Sequence, residues 1–272
     1  MIFIGFIALV YISIILGMYI GQRNLMYHPV ASLGTPLSHS IPEVVSIKVS
    51  SSDNLNITSW FKMGSSNKPF LIFFHGNAGH IGDLAAKARP YVDAGFGILL
   101  VGYRGFGGNP GKPSEKGLYE DSAAALNFLL LSGVKSNHWV LFGESLGAAI
   151  AVEMATRFNH LVPVSSVVLE APFTSMADAA RAHYPFAPIK LLLKDNYDSL
   201  SKIDKITSPI MILHGDMDET VPQKLGIKLF NAADEPKYSL WVNGAGHNDL
   251  YDFGVDKLII KFIEKNWLTF PF

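Results

Sequence analysis

The sequence predicts an α/β fold, a mostly parallel, twisted sheet with helices on both faces. Three observations predict it. Short, unbroken apolar runs recur along the chain, too apolar for half-exposed strands and suited to a parallel sheet buried on both sides. Helical patterns lie between these runs. Polar, glycine-rich residues follow each run rather than precede it, so they should gather at the carboxyl ends of the strands, where such sheets bind ligands.

The first twenty residues, "MIFIGFIALVYISIILGMYI", carry no charge. As a helix they would run about 30 Å, the thickness of a bilayer's hydrocarbon core. No Lys or Arg precedes the run, and Gly21-Gln22-Arg23 follows it. Residues 1–22 are therefore expected to form an uncleaved single-pass transmembrane helix rather than a cleaved signal. A buried core helix suits a run apolar all round less well. Arg23 on its flank favours a cytoplasmic position for the domain that follows, residues 23–272.

Next, "VVSIKVSS" and "LNITSWFKM" alternate around Asp53-Asn54 and read as an antiparallel hairpin. Five apolar strands follow, in "KPFLIFFHGNAGH", "FGILLVGYRGFGG", "HWVLFGES", "VSSVVLEAPF" and "SPIMILHGDMDET", and a sixth in "KYSLWVNGAGH". Helical patterns fall around 83–93, 117–131, 146–158, 176–184, 223–232 and 255–268. Residues 182–205, with two prolines, several aromatics and a leucine cluster, break the alternation. They read as a short lid insertion, or equally by composition as an extra surface helix.

The 272 residues suffice for one large domain, and 49% are apolar against 17% charged. A net charge of −1 offers no electrostatic field for nucleic acid. With no cysteine, disulfides, a thiol nucleophile and thiolate metal sites are excluded. No histidine–carboxylate helix motif calls for a catalytic metal, and no cofactor is expected. In "GYRGFGGNPGK" the phosphate-loop spacing fails, because Phe106 stands where the first glycine is needed and Pro113 follows Lys112. Arg104 there reads as a brace between loops.

"FGESLG" places Ser145 between Gly143 and Gly147, after an apolar strand and before a helical run. The pattern G-x-S-x-G is weak alone, and this context gives it meaning. A serine on a sharp strand-to-helix turn is pushed out over the sheet rim, and the glycines remove side chains that would collide there. The helix N-terminus behind it suits an oxyanion. A serine hydroxyl needs a base to become a nucleophile. His247, in the loop of "NGAGHND", is the favoured base over His75, His80 and His214; His75 and His214 sit at strand ends, where packed structural histidines are expected. The acid that orients the base should fall between serine and histidine in the chain. Asp218 is favoured, deeper in the loop "HGDMDETVP" than Asp216, which reads as a turn or cap residue. Glu170, Asp249 and Asp252 are remoter options. Backbone amides of Leu146 and Asn77 are the expected oxyanion donors.

These motifs together resemble the α/β-hydrolase superfamily, and more closely its Bem46 / ABHD13-like serine hydrolases. The resemblance runs through "QRNLMYHP", "FFHGNAGH", "GYRGFGGNPGKPSEKGLYED", "GESLGAAIA", "LEAPFTS", "ILHGDMDETVP" and "GAGHND", covering almost the whole chain. It implies nucleophile Ser145, acid Asp218, base His247 and oxyanion donors at Asn77 and Leu146. It also implies that Tyr103-Arg104-Gly105 lines the active-site rim. His80 departs from the pattern, holding the place of an asparagine, and reads as a surface histidine or one facing the pocket. The expected function is a membrane-anchored esterase or thioesterase acting on acylated, lipid-like substrates. The alternative is a catalytically idle membrane scaffold or partner-binding protein.

Overall fold

The computed structural model describes residues 2–159, 161 and 163–269. The chain opens with α1 (Ile2–Met26), a helix of 25 residues. Its segment Phe3–Met26 is long and apolar enough to cross a bilayer, with a mean hydropathy of 2.4. The helix runs on past residue 22 without a break. Two short strands, β1 (His28–Pro29) and later β5 (Ala78–Gly79), pair in parallel and tie the end of α1 to the loop after the first parallel strand.

The hairpin forms as expected from β2 (Val45–Ser50) and β3 (Asn56–Lys62). Then come β4 (Phe70–Phe74), α2 (Ala85–Asp93), β6 (Gly97–Val101), α3 (Glu115–Leu131), β7 (Trp139–Glu144) and α4 (Leu146–Arg157). They are followed by β8 (Ser166–Glu170), α5 (Met176–His183), α6 (Ile189–Leu192), β9 (Ile210–Gly215), α7 (Gln223–Ala232), β10 (Lys237–Val242) and α8 (Val255–Thr269). The main sheet has eight strands in the order β10-β9-β8-β7-β4-β6-β3-β2. Strands from β10 to β6 are parallel, and at the far edge β3 pairs antiparallel with β6 and β2 antiparallel with β3.

Strand alternation explains why the central runs are wholly apolar. On β4, Phe70, Ile72 and Phe74 pack on the face covered by α3, α4 and α7, while Leu71 and Phe73 pack on the face covered by α2 and α8. All five are buried. Each such burial stabilises the fold by about 1.5–3 kcal/mol. Helix starts are set locally: the Ser114 and Ser175 hydroxyls accept from the amides of Gly117 and Asp178, both at 3.1 Å.

Arg104 is buried and braces loops, as its position suggests. Its guanidinium reaches Asp121 on α3 at 2.7 Å and Asp53 in the hairpin turn at 2.8 Å. Tyr103-Arg104-Gly105 does not line the hollow at Ser145, which corrects the expected rim position. The ion pairs draw Arg104 toward α3, and Tyr103 turns inward to stack on His75 with ring centroids 4.2 Å apart. His80 is also corrected. It is buried, and its ring lies edge-on to His39 at 5.7 Å, so it is not a surface residue.

Candidate active site

Three strand ends converge above the sheet. β7 ends at Glu144, and the chain turns at Ser145 into α4 with φ 52° and ψ −114°. This is a sparsely populated conformation for any residue with a side chain. Two glycines make the turn fit. A Cβ on Gly143 would lie 2.1 Å from the Gly147 carbonyl oxygen, and one on Gly147 would lie 1.9 Å from that of Phe74. The Ser145 amide donates to the Glu170 carbonyl at 2.8 Å, which pins the turn to the neighbouring strand end.

The loop after β10 brings His247 over this turn. Its Nε2 lies 3.1 Å from Ser145 Oγ, and its Nδ1 lies 2.7 Å from Asp218 Oδ2. With Nδ1–H donating to the carboxylate, Nε2 is left to accept from the hydroxyl. The loop after β9 supplies Asp218. Its other oxygen accepts from the amides of Thr220 at 2.9 Å and Val221 at 2.7 Å. Burial alone would raise this carboxyl's pKa, but hydrogen bonds from His214, His247 and the Val221 amide hold it well below the usual carboxylate range. Asp218 therefore stays ionised.

His214 is the contact that sequence reasoning missed. It is a buried strand-end histidine, as expected, but its Nε2–H is shared between Asp218 Oδ2 at 3.0 Å and the Val221 carbonyl at 2.8 Å. A carbonyl only accepts, so this nitrogen carries the proton. The signal was present in "HGDMD": a histidine four residues before the acid on one tight loop. Asp216 is a turn residue, its Oδ1 accepting from the Gly244 amide at 2.7 Å. Asp249 likewise accepts from Gly246 at 2.7 Å, within its own loop. His75 is buried beside its own loop, its Nδ1 2.9 Å from the Gly76 carbonyl, and burial depresses its pKa to about 4.

Leu146 opens α4, so its amide has no partner within the helix. Asn77 is held from two sides: its carbonyl accepts from the His28 amide at 2.8 Å, and its side chain donates to the Met26 carbonyl at 2.7 Å. The segment just after α1 thus shapes the loop on which the second expected donor sits.

A buried charge cluster lies beside the turn. Lys87 on α2 pairs with Glu144 and, at 2.7 Å, with Glu170. Burial raises the pKa of Glu170 on balance, whereas the close Lys87 ammonium outweighs burial and lowers that of Glu144. Replacing Lys87 with methionine leaves the two carboxylates facing each other without a cation. The variant is expected to lose about 3–5 kcal/mol of stability, read as a lower urea midpoint, and Lys87→Met/Glu144→Gln/Glu170→Gln should recover part of it.

Two hollows meet at Ser145. One, about 350 Å³, is polar and passes Gly76, Asp83, Glu144, Glu170, His247 and Asn248. The other, about 240 Å³, is mostly apolar, with Leu146, Phe173, Met176, Ala180, Leu192 and Val221 among its walls. An apolar hollow on one side of a serine and a polar one on the other suit a bond between an acyl chain and a polar leaving group.

The fold and this serine turn define an α/β serine hydrolase. Residues 65–199 match the Hydrolase_4 family, described as serine aminopeptidase, S33. The chain is 37% identical to the uncharacterized protein Rv2307c of Mycobacterium tuberculosis over 249 residues, 90% of this chain and 87% of that protein. It is 36% identical to alpha/beta hydrolase domain-containing protein 17B of Xenopus laevis over 194 residues, 70% of this chain and 64% of that one. Among solved structures, an alpha-beta hydrolase from Vibrio vulnificus superposes with a TM-score of 0.72 at 23% identity, covering 89% of this chain and 90% of that chain. The chain belongs to the α/β-hydrolase superfamily and is a serine hydrolase.

Proposed function

We propose that this protein is a membrane-anchored serine hydrolase that cleaves acyl ester or thioester bonds through Ser145, His247 and Asp218. The observation that carries the reading is the unbroken hydrogen-bonded line from Ser145 Oγ to His247 at 3.1 Å and from His247 to Asp218 at 2.7 Å. Ser145 Oγ attacks the carbonyl carbon as its proton passes to His247 Nε2. The Asp218 carboxylate stabilises the imidazolium and keeps the ring oriented. Amides of Leu146 and Asn77 donate to the developing oxyanion. The imidazolium then protonates the departing alcohol or thiol, leaving an acyl group on Ser145. Water, deprotonated by the same histidine, attacks that acyl group and frees the acid.

Residues 1–22 serve as the anchor in this reading and 23–272 as the hydrolase domain, with Arg23 favouring the cytoplasmic side. Residues 182–205 act as the lid over the apolar hollow. The finer kinship with Bem46 / ABHD13-like hydrolases belongs to the same reading and is supported by motif order.

A fluorophosphonate probe tests it. The probe is expected to label the full-length protein at one site, mapped by peptide mass to Ser145, and to leave Ser145→Ala unlabelled. Absence of labelling, or adducts elsewhere that persist in Ser145→Ala, would favour a catalytically idle scaffold.

A further inference from the structure

The N-terminal helix does more than the hydropathy of its sequence suggests. Up to residue 21 it is uncharged and apolar on every side, so nothing in that part of the pattern marks one face as special. In the fold, Ile15, Met18, Gln22 and Met26 line the apolar hollow that opens on Ser145. Their spacing of three and four residues makes one stripe down α1. The opposite face, including Ile20 at 72% exposed, meets no protein.

The stripe is held in place by a ladder of contacts along the lid. Tyr11 Oη donates to the Phe186 carbonyl at 3.0 Å. The Gln22 side chain donates to the Leu192 carbonyl at 3.2 Å and accepts from the Lys194 amide at 2.7 Å. Arg23 grips Asp195 through two nitrogens, at 2.7 and 3.0 Å. Below it, the Tyr27 and Tyr197 hydroxyls meet at 2.7 Å. The lid beside this ladder leaves Phe186 54% and Leu191 86% exposed, with Lys190 and Lys194 next to them.

We propose that α1 is a wall of the acyl-binding hollow, and that the protein draws a long acyl chain into the hollow from the bilayer in which α1 sits. This rests on the reading of Ser145 given above and names the substrate class for it. If the apolar segment fills the hydrocarbon core from its N-terminal end, about 20 residues of helix are used by residue 22. Residues 15–22, which form the wall, then lie within the lower ~10 Å of that core. A hollow with such a wall has its mouth at the membrane. Phe186 and Leu191 would dip into the same leaflet, as the apolar side chains of interfacial segments do. An acyl chain passes from lipid to hollow without crossing water. The polar hollow on the other side of Ser145 stays toward the aqueous phase to receive the leaving group.

The test uses full-length protein in phosphatidylcholine vesicles and p-nitrophenyl esters from acetate to octanoate. Turnover by the wild type is expected to rise by up to about fourfold per added methylene, the limit set by full burial of each CH2. Met18→Trp fills the hollow from the helix side and should lower the octanoate-to-acetate ratio by about tenfold or more, whereas Ile20→Trp, on the far face, should leave it unchanged. Equal ratios in the two variants overturn the proposal, while loss of acetate turnover in Ser145→Ala reports separately on the serine. Should Met18→Trp not fold, a long-chain alkyl fluorophosphonate with a terminal diazirine answers on the wild type. Once bound at Ser145 it should crosslink to residues of the stripe on α1, and crosslinks confined to other segments contradict the proposal. A vesicle-borne monoacylglycerol and a vesicle-bound S-palmitoyl peptide distinguish the two sources of such a chain. Cleavage of either supports the proposal and names the source, and cleavage of neither, with octanoate still turned over, overturns it.

Discussion

Ester turnover by Ser145→Ala is expected to fall by about 10⁶-fold, to the level left by binding and the oxyanion amides alone. Alanine removes one oxygen and nothing else of consequence. Ser145 Oγ has His247 Nε2 as its partner, so the change leaves no buried carboxylate or backbone group unpaired. The turn should persist, because it is imposed by Gly143, Gly147 and the bond from the residue 145 amide to Glu170. Thermal unfolding of the variant is therefore expected to match the wild type within a few degrees. Loss of activity together with loss of fold would mean that the serine is there for structure.

Asp218→Asn is the second large effect. The expected fall is about 10⁴-fold in kcat, with KM for a short ester little changed. All the donors around this side chain point at it: His247 and His214 at one oxygen, the amides of Thr220 and Val221 at the other. An asparagine must turn its NH2 toward one pair of them. If that group faces His247, the ring takes its proton on Nε2 and can no longer accept from Ser145. The variant also loses a pH dependence of stability. The pKa of Asp218 is depressed in the folded state. Its contribution is thus full above the unfolded value of about 4 and is lost as pH falls through the lower folded value. Wild-type urea midpoints should drop faster below pH 4 than those of Asp218→Asn. Parallel acid limbs would mean that this carboxylate is not held ionised by its neighbours.

The residues that were legible in the sequence are those whose chemistry is local. Gly143 and Gly147 flank a serine at a strand end, and each proves to sit where a Cβ would strike backbone. His247 and Asp218 lie in polar loops after apolar strands, and the parallel sheet brings such loops to one rim. The strands and most helices follow from apolar runs and their periods, and α7 spans the expected 223–232. What was not legible depends on partners far away in the chain. Lys87 is one more lysine on a helix until Glu144 and Glu170 close on it from two strand ends. The family resemblance puts Tyr103 at the rim, but stacking on His75 turns it inward. His80 is buried because His39, from a distant loop, packs against its ring. The pocket-lining stripe on α1 could not be seen because every face of that helix is apolar up to residue 21, so hydropathy says that it is buried in something but not in what.

The proposed chemistry requires Ser145 and His247 to act as one unit. The most direct measurement is kcat for Ser145→Ala, His247→Ala and the double variant on one short ester. Each single change is expected to cost about 10⁶-fold, and the double variant no more than either alone, since a hydroxyl without its base and a base without its hydroxyl are equally idle. Losses that multiply, or a His247→Ala protein that keeps most of its turnover, would contradict it.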